Sequence, residues 1–194
     1  MKTNIILAGV GGQGILTIAA ILDIAALDNN LNIKQSEVHG MSQRGGAVQS
    51  HVRISDKPIY SDLIPLGKAD VIISVEPMEL LRYLPYLKKN GFLITDINPF
   101  VNISNYPELE NLYEEIQSHP NCILIDAKKI AKELGNSKAT NIVLLGAIAS
   151  RLPLSNSSIE IAIEKLFERK GERIVNKNLD AFRKGQEIAS ETVV

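Results

Sequence analysis

This sequence predicts an α/β fold: three layers, a mostly parallel (mixed) sheet with helices on both faces, and a helical C-terminal tail. Three observations carry that expectation. Short apolar runs alternate with helix-like stretches, and most of the runs lack the polar alternation of a half-exposed strand. The second and third runs follow one another with no helix between them, so at least one strand joins antiparallel. From Thr140 onward every segment reads as helix. At 194 residues the chain is expected to form one domain, 1–194, long enough to bury a substantial core.

The elements follow in order. Thr3 to Ala8 is a buried strand, Gly9 to Gly14 a turn, and Ile15 to Leu27 an apolar helix ending near Asp28-Asn29-Asn30. Ile33 to Val38 and Ala47 to Ile54 are strands separated by a polar, glycine-bearing loop. Asp56-Lys57-Pro58 is turn chemistry, and Asp62 to Lys68 is irregular. Ala69 to Val75 is a strand, and Pro77 suits the start of a helix carried by Met78 to Leu87. Gly91 to Asp96 is a strand ending near Asn98-Pro99. Phe100 to Glu110 has little periodicity and reads as a surface excursion. A short helix over Leu112 to Gln117, a strand over Cys122 to Asp126 and a helix over Lys128 to Leu134, closed by Gly135, complete the alternating part. The tail holds helices over Asn141 to Leu152, Ser158 to Arg169 and Val175 to Ala189, with Ser155 to Ser158 capping the middle one.

Composition excludes several classes of function. A net charge of −1 supplies no overall field toward nucleic acid or an anionic membrane. The chain has no Trp and 5% aromatic residues, which argues against base-stacking single-strand binders. Its one cysteine, Cys122, excludes an internal disulfide and a self-contained iron–sulfur cluster, which needs about four thiolates. The surrounding apolar run makes Cys122 a buried strand residue. Gly9 to Gly14 interrupts the first apolar stretch before it reaches the length of a signal core, and no run approaches a spanning helix. The expected location is cytoplasmic.

Two glycine loops carry the functional signal. Gly9, Gly11 and Gly14 satisfy G-x-G-x-x-G between a strand and a helix, with Gly12 and Gln13 inside the turn. Such a turn lets backbone N–H groups and a helix N-terminus approach a diphosphate. Glu37 lies close to where a dinucleotide fold puts its ribose-binding acid. That leaves a free-standing NAD(P)-dependent enzyme as one reading. Against it, no crossover helix follows the second strand and no hydride-transfer machinery is recognisable. A tight turn without a ligand is a third reading, in which both loops serve only as scaffold.

The second loop runs Glu37-Val38-His39-Gly40-Met41-Ser42-Gln43-Arg44-Gly45-Gly46 into the strand Ala47 to Ile54. Ser42, Gln43 and Arg44 offer a hydroxyl, a carboxamide and a guanidinium fork, which suit a phosphate, a carboxylate or a polar partner. Together with the GVGGQG turn, with Ala69-Asp70 leading a strand and with Ala139-Thr140-Asn141 opening the helical tail, this loop resembles the gamma-type domain of the 2-oxoacid:ferredoxin oxidoreductases. Within that family the likeness is greatest to the separate small beta subunit of the indolepyruvate type.

The resemblance implies a role in oxidative decarboxylation, in which a 2-oxoacid and coenzyme A give acyl-CoA, CO2 and reduced ferredoxin. It implies that thiamine diphosphate and iron–sulfur clusters sit on a larger partner subunit, since this chain has neither a thiamine signature nor a cysteine set. It leaves this chain part of the coenzyme A site and no catalytic residue. Gly9, Gly11, Gly12, Gln13 and Gly14 would border the diphosphate, and Ser42, Gln43 and Arg44 would face the partner's active-site mouth. Ferredoxin would be met through the complex, and the chain alone would be free to pair with itself through the partner surface.

The remaining candidates are weaker. His39, His51 and His119 are scattered and do not make a metal site. Asp96-Ile97-Asn98-Pro99 ends a strand, where α/β sheets put ligand contacts, although a capped turn explains it more simply. Thr140 reads as an N-cap. Glu160, Glu164, Lys165, Glu168 and Arg169 form solvated faces, while Ile159, Ile163 and Leu166 are free to pack in the core or onto a second subunit.

Overall fold

Alternate residues of a strand face opposite sides of a sheet, so an uninterrupted apolar strand needs cover on both. In β1 (Lys2–Val10), Ile5 and Leu7 enter one core while Ile6 enters another, and all three are fully buried. The computed structural model describes residues 1–39 and 45–192. Its other strands are β2 (Asn32–His39), β3 (Ala47–Ser55), β4 (Ala69–Ser74), β5 (Leu87–Asp96) and β6 (Cys122–Ile125). Val71 and Ile73 against Ile72, and Ile94 against Leu93, repeat the two-sided burial in β4 and β5.

The sheet order is β2-β3-β1-β4-β5-β6. β1, β4, β5 and β6 are parallel, whereas β3 pairs antiparallel with both β1 and β2. The helices are α1 (Ile15–Asp28), α2 (Pro77–Arg82), α3 (Leu109–Gln117), α4 (Ala127–Glu133), α5 (Thr140–Ile148), α6 (Asn156–Phe167) and α7 (Glu172–Thr192). α1 and α4 to α7 cover one face, and α2 and α3 contribute Leu80 and Ile116 to the other. The three-layer mixed α/β architecture expected from sequence is therefore present.

α5 is buried from Asn141 to Ile148, with α7 stacked over it. Glycine makes that crossing possible. A Cβ on Gly146 would lie 2.0 Å from the Phe182 carbonyl oxygen, and one on Gly185 2.1 Å from that of Val143. Neither helix has room for alanine at these points.

Three local expectations need correction and one open alternative is decided. The helix from Pro77 stops at Arg82 and gives way to a 3-10 turn, Leu84–Tyr86, so Leu87 already belongs to β5. Pro85 has no N–H to continue an α-helix and crowds the preceding turn. Thr140 is the first residue of α5 and not its cap; Ala139 holds the cap position and no side chain bonds there. Of the two places left open for them, Ile159 and Ile163 lie in the core and Leu166, partly buried, packs against it. Cys122 is half-buried because β6 is the outermost strand.

Candidate functional site

Parallel strands deliver their C-terminal ends to one edge of the sheet, and here the chain leaves that edge toward opposite faces. α1 follows β1 onto the larger core, while α2 follows β4 onto the smaller one. Ligand crevices of open α/β sheets form at such switch points. A cleft of about 700 Å³ opens there, walled by Gly12, Gln13 and Gly14, by Asp96 and Asn98, and by Thr140 and Asn141.

The first glycine loop is built from both ends. Val10 N–H donates to Gln13 Oε1 at 2.7 Å, and Gln13 N–H donates to the Val10 carbonyl at 3.1 Å. Gln13 thus folds back on the turn. Gly9 belongs to β1, and a Cβ there would lie 2.8 Å from Gln13 Oε1 and from Ile15 Cδ1. Gly12 (φ 99°) and Gly14 (φ 81°) are left-handed, a conformation that side chains resist. Asn141 Nδ2 donates to the Gly14 carbonyl at 2.9 Å, stitching the start of α5 to the start of α1.

The expected donors are not equivalent. Gly11 N–H donates to the Gly46 carbonyl at 2.9 Å, which ties the two glycine loops together and engages that donor inside the protein. The N–H groups of Gly12 and Gly14 have no backbone partner among the described residues. Both glycines line the cleft, as do residues of the first turns of α1 and α5, neither of which carries an acidic residue. Helix N-termini favour anions. Lys128, Lys138 and Lys170 line the same cleft and add positive charge. Ser42, Gln43 and Arg44 lie outside the described residues, and so does the side chain of His39; Gly46 close by meets the first loop.

The floor is acidic. Asp96, 2% exposed at the end of β5, has its carboxyl pushed up to about 6, chiefly by burial. Asn98 Nδ2 donates to Asp96 Oδ1 at 3.1 Å and to Asp126 Oδ1 at 2.7 Å, and Lys128 N–H donates to Asp96 at 3.3 Å. Asp126 in turn caps α4 through Lys129 N–H. The Asp96-Asn98-Pro99 turn is therefore both a capped turn and a wall of the cleft. The arrangement is chemically suited to an anion at its rim and to a hydrogen-bond donor at its floor.

Glu76 is a residue that the sequence reading missed. It lies two residues beyond β4, the parallel neighbour of β1, at the N-cap of α2, and is fully buried. Its Oε2 accepts from Glu79 N–H at 2.7 Å, capping α2, while Oε1 accepts from the Tyr106 hydroxyl and from Phe100 N–H at 3.4 Å. Burial and that bond push the Tyr106 hydroxyl well above its usual range. The excursion after β5 is thus pinned across the cleft edge, and Asn102 Nδ2 reaches the Gly45 carbonyl at 2.7 Å. An acid directly before a proline at the first helical position was the available signal.

Glu37 does not meet the first loop. β3 lies between β2 and β1, and Glu37 pairs with Ser50, which pairs with Leu7, so it sits level with the middle of β1 and two strands away. A ribose-binding acid has no such place, and the NAD(P) reading loses its geometry. His51 is structural: its Nδ1 accepts from Ile64 N–H at 2.9 Å, its ring meets Tyr86 edge-on, and burial lowers its pKa. Among the described residues no three His, Cys, Asp or Glu side chains gather as metal ligands, and no helix is long and apolar enough to cross a membrane.

The family described as pyruvate ferredoxin/flavodoxin oxidoreductase matches residues 4–188 of the chain. Indolepyruvate oxidoreductase subunit IorB of Pyrococcus horikoshii is 41% identical, over 97% of this chain and 96% of its own. The 2-oxoglutarate synthase subunit KorC of Methanocaldococcus jannaschii is 34% identical, over 98% and 96%. Among solved structures, the keto/oxoacid ferredoxin oxidoreductase gamma subunit of Geobacter sulfurreducens has a TM-score of 0.73 at 27% identity, covering 98% of this chain and 99% of that one. The 2-oxoglutarate:ferredoxin oxidoreductase of Magnetococcus marinus, with coenzyme A bound, shares the fold at TM-score 0.80 and 22% identity; this chain spans 99% of itself but 32% of that polypeptide. The glycine loops, the mixed sheet and the full-length likeness agree: the chain belongs to the pyruvate ferredoxin/flavodoxin oxidoreductase family.

Proposed function

We propose that this chain is the small, non-catalytic subunit of a 2-oxoacid:ferredoxin oxidoreductase, of the indolepyruvate type, and that its cleft holds part of coenzyme A. The reaction takes a 2-oxoacid and coenzyme A to acyl-CoA and CO2, and passes two electrons to ferredoxin. Thiamine diphosphate and iron–sulfur clusters supply the decarboxylation and electron-transfer chemistry from a larger partner subunit. One cysteine on this chain cannot furnish a cluster's thiolates.

The observation that carries the reading is the cleft itself. Two backbone donors (Gly12 and Gly14), the starts of α1 and α5, and three lysines converge at the sheet's switch point. That is a built environment for a diphosphate. The names of the relatives supply the 2-oxoacid chemistry and, for the Pyrococcus horikoshii subunit at 41% identity, indolepyruvate. Gly9 and Gln13 shape the loop, while Gly12 and Gly14 would touch the ligand. Ser42, Gln43 and Arg44 are proposed to face the partner's active-site mouth.

The test is reconstitution with the larger subunit, followed by ferredoxin- or viologen-linked assay over a panel of 2-oxoacids. Reduction should require both chains and coenzyme A, with aryl-pyruvates preferred. Turnover by this chain alone, or binding of a nicotinamide nucleotide in place of coenzyme A, would overturn the reading.

A further inference from the structure

Asp96 lines the floor of the cleft, yet among the described residues no cation pairs with its buried carboxyl. A second acid stands beside it instead. Asn98 Nδ2 is shared between Asp96 Oδ1, at 3.1 Å, and Asp126 Oδ1, at 2.7 Å, and Asp126 has no ion pair either. One amide nitrogen thus serves two carboxylates, and like charges so placed favour a proton on one of them. Asp96 is the buried member of the pair and the one that keeps it. Burial contributes most and the Asp126 charge adds to it, against Asn98 and the N–H groups of Lys128 and Ala127. The neighbouring elements leave that balance standing. α3 brings the neutral Tyr113 hydroxyl, which donates to the Ile97 carbonyl at 2.6 Å. Beyond β4 stands Glu76, its oxygens taken up by Glu79 N–H, Phe100 N–H and the Tyr106 hydroxyl. Lys128, Lys138 and Lys170 line the cleft, and the starts of α1 and α5 bring no acid.

We propose that the cleft takes up a proton together with its anionic ligand, and that Asp96 is the group that holds it. The proposal rests on the coenzyme A reading above and concerns the regulation of that same site by pH. The sheet sets the distance. Ala8 pairs with Ser74 and Ser74 with Thr95, so Asp96 lies level with Gly9, with β4 between them. Two strand spacings put the first glycine loop roughly 10 Å from the carboxyl. At that range a phosphate on the loop repels an ionised Asp96 and leaves a protonated one alone. The bound ligand therefore drives the Asp96 pKa upward from its free value of about 6. The sign follows from linkage. Affinity is highest below the free value, falls as pH rises from there to the bound value, and is level above it. The three lysines keep the cleft attractive to an anion on both sides of that transition.

The experiment is isothermal calorimetry of coenzyme A binding to the full chain, alone and with the larger subunit, for wild type and Asp96→Asn. Two quantities are read: affinity across the pH range, and the proton count from binding heats in two buffers of unlike ionisation enthalpy. The ligand's own phosphates titrate against both proteins alike and cancel in the comparison. Between about pH 5.5 and 7.5, wild type should lose about fivefold more affinity than Asp96→Asn. Near the middle of that range wild type should also take up the larger fraction of a proton. The variant should bind as wild type does at the acid end and more tightly at the other. Equal proton counts in the two proteins overturn the proposal, and so does a variant that binds no more tightly at the upper pH; the coenzyme A reading survives both results. Absence of coenzyme A binding in both preparations overturns that reading and this proposal with it.

Discussion

The two ends of the β-sheet have opposite polar economies. At the N-terminal end of β1, Asn4 N–H donates to Asp70 at 2.7 Å, Asn4 Nδ2 to the Lys68 carbonyl at 2.8 Å, and Arg53 Nε to Asn4 Oδ1 at 3.1 Å. Arg53 Nη1 also reaches the carbonyls of Ser61 and Leu63 at 2.7 and 2.8 Å. At the C-terminal end, Gly12 and Gly14 present N–H groups without backbone partners among the described residues, Asn141 Oδ1 is buried without a partner, and Asp96 is desolvated. Buried polar groups are normally matched inside the protein. The first end obeys that rule and holds the strands together; the second departs from it where a ligand is proposed to bind.

Substitutions at each end should separate stability from binding. The largest effect is expected from Arg53→Ala, which leaves three acceptors without their buried donor and should cost about 2–4 kcal/mol in urea unfolding. Coenzyme A affinity of the folded fraction should not change. Gly14→Ala places a Cβ 2.6 Å from Asn141 Nδ2 at a positive φ. It should cost roughly 1–3 kcal/mol of stability and at least tenfold in coenzyme A affinity by calorimetry. Equal loss of affinity from Arg53→Ala would break the comparison.

Asp96→Asn should have the opposite sign. Folding raises this carboxyl from 3.8 to about 6, so the native state retains a proton that the unfolded chain releases. Stability therefore falls as pH rises from 3.8 to about 6 and stays lowered above that. Asn keeps an acceptor for Asn98 and Lys128 N–H without the charge. It should stabilise the protein by up to ~3 kcal/mol at pH 7 and by nothing near pH 3, read from melting curves across that range. The smallest effect belongs to Lys88→Ala, which removes a half-exposed partner of Asp70 and should cost ~0.5–1 kcal/mol, less at high salt.

The strands were legible because their apolar runs, such as Ile5-Ile6-Leu7 and Val71-Ile72-Ile73, have one physical explanation, burial on both faces. The hairpin-like junction of β2 and β3 was legible from the absence of a helix between them. The cleft was legible only in part. Gly12 and Gly14 announce a tight turn near an anion, and Asp96 and Asn98 announce themselves by ending a strand. Lys128, Lys138 and Lys170 carry no signal in the sequence, because they come together only through the placing of α4, α5 and the α6–α7 corner. Glu76 carries no signal of its buried role beyond the proline after it, because its partner Tyr106 is thirty residues away. Gly11 looked like a ligand donor, but the competing Gly46 carbonyl belongs to another strand's approach.

The glycine-to-carbonyl contact of α5 with α7 bears on how the polypeptide matures. Helix α5 is apolar on every side, and its outer surface is sheathed only when residues 179–189 settle into the notch at Gly146. A nascent chain that has emerged to Leu152 already has its whole sheet but presents an uncovered greasy rod. Completion of the core therefore awaits synthesis of the final helix, and stalled ribosomes should carry a protease-sensitive, chaperone-bound intermediate until that helix is released.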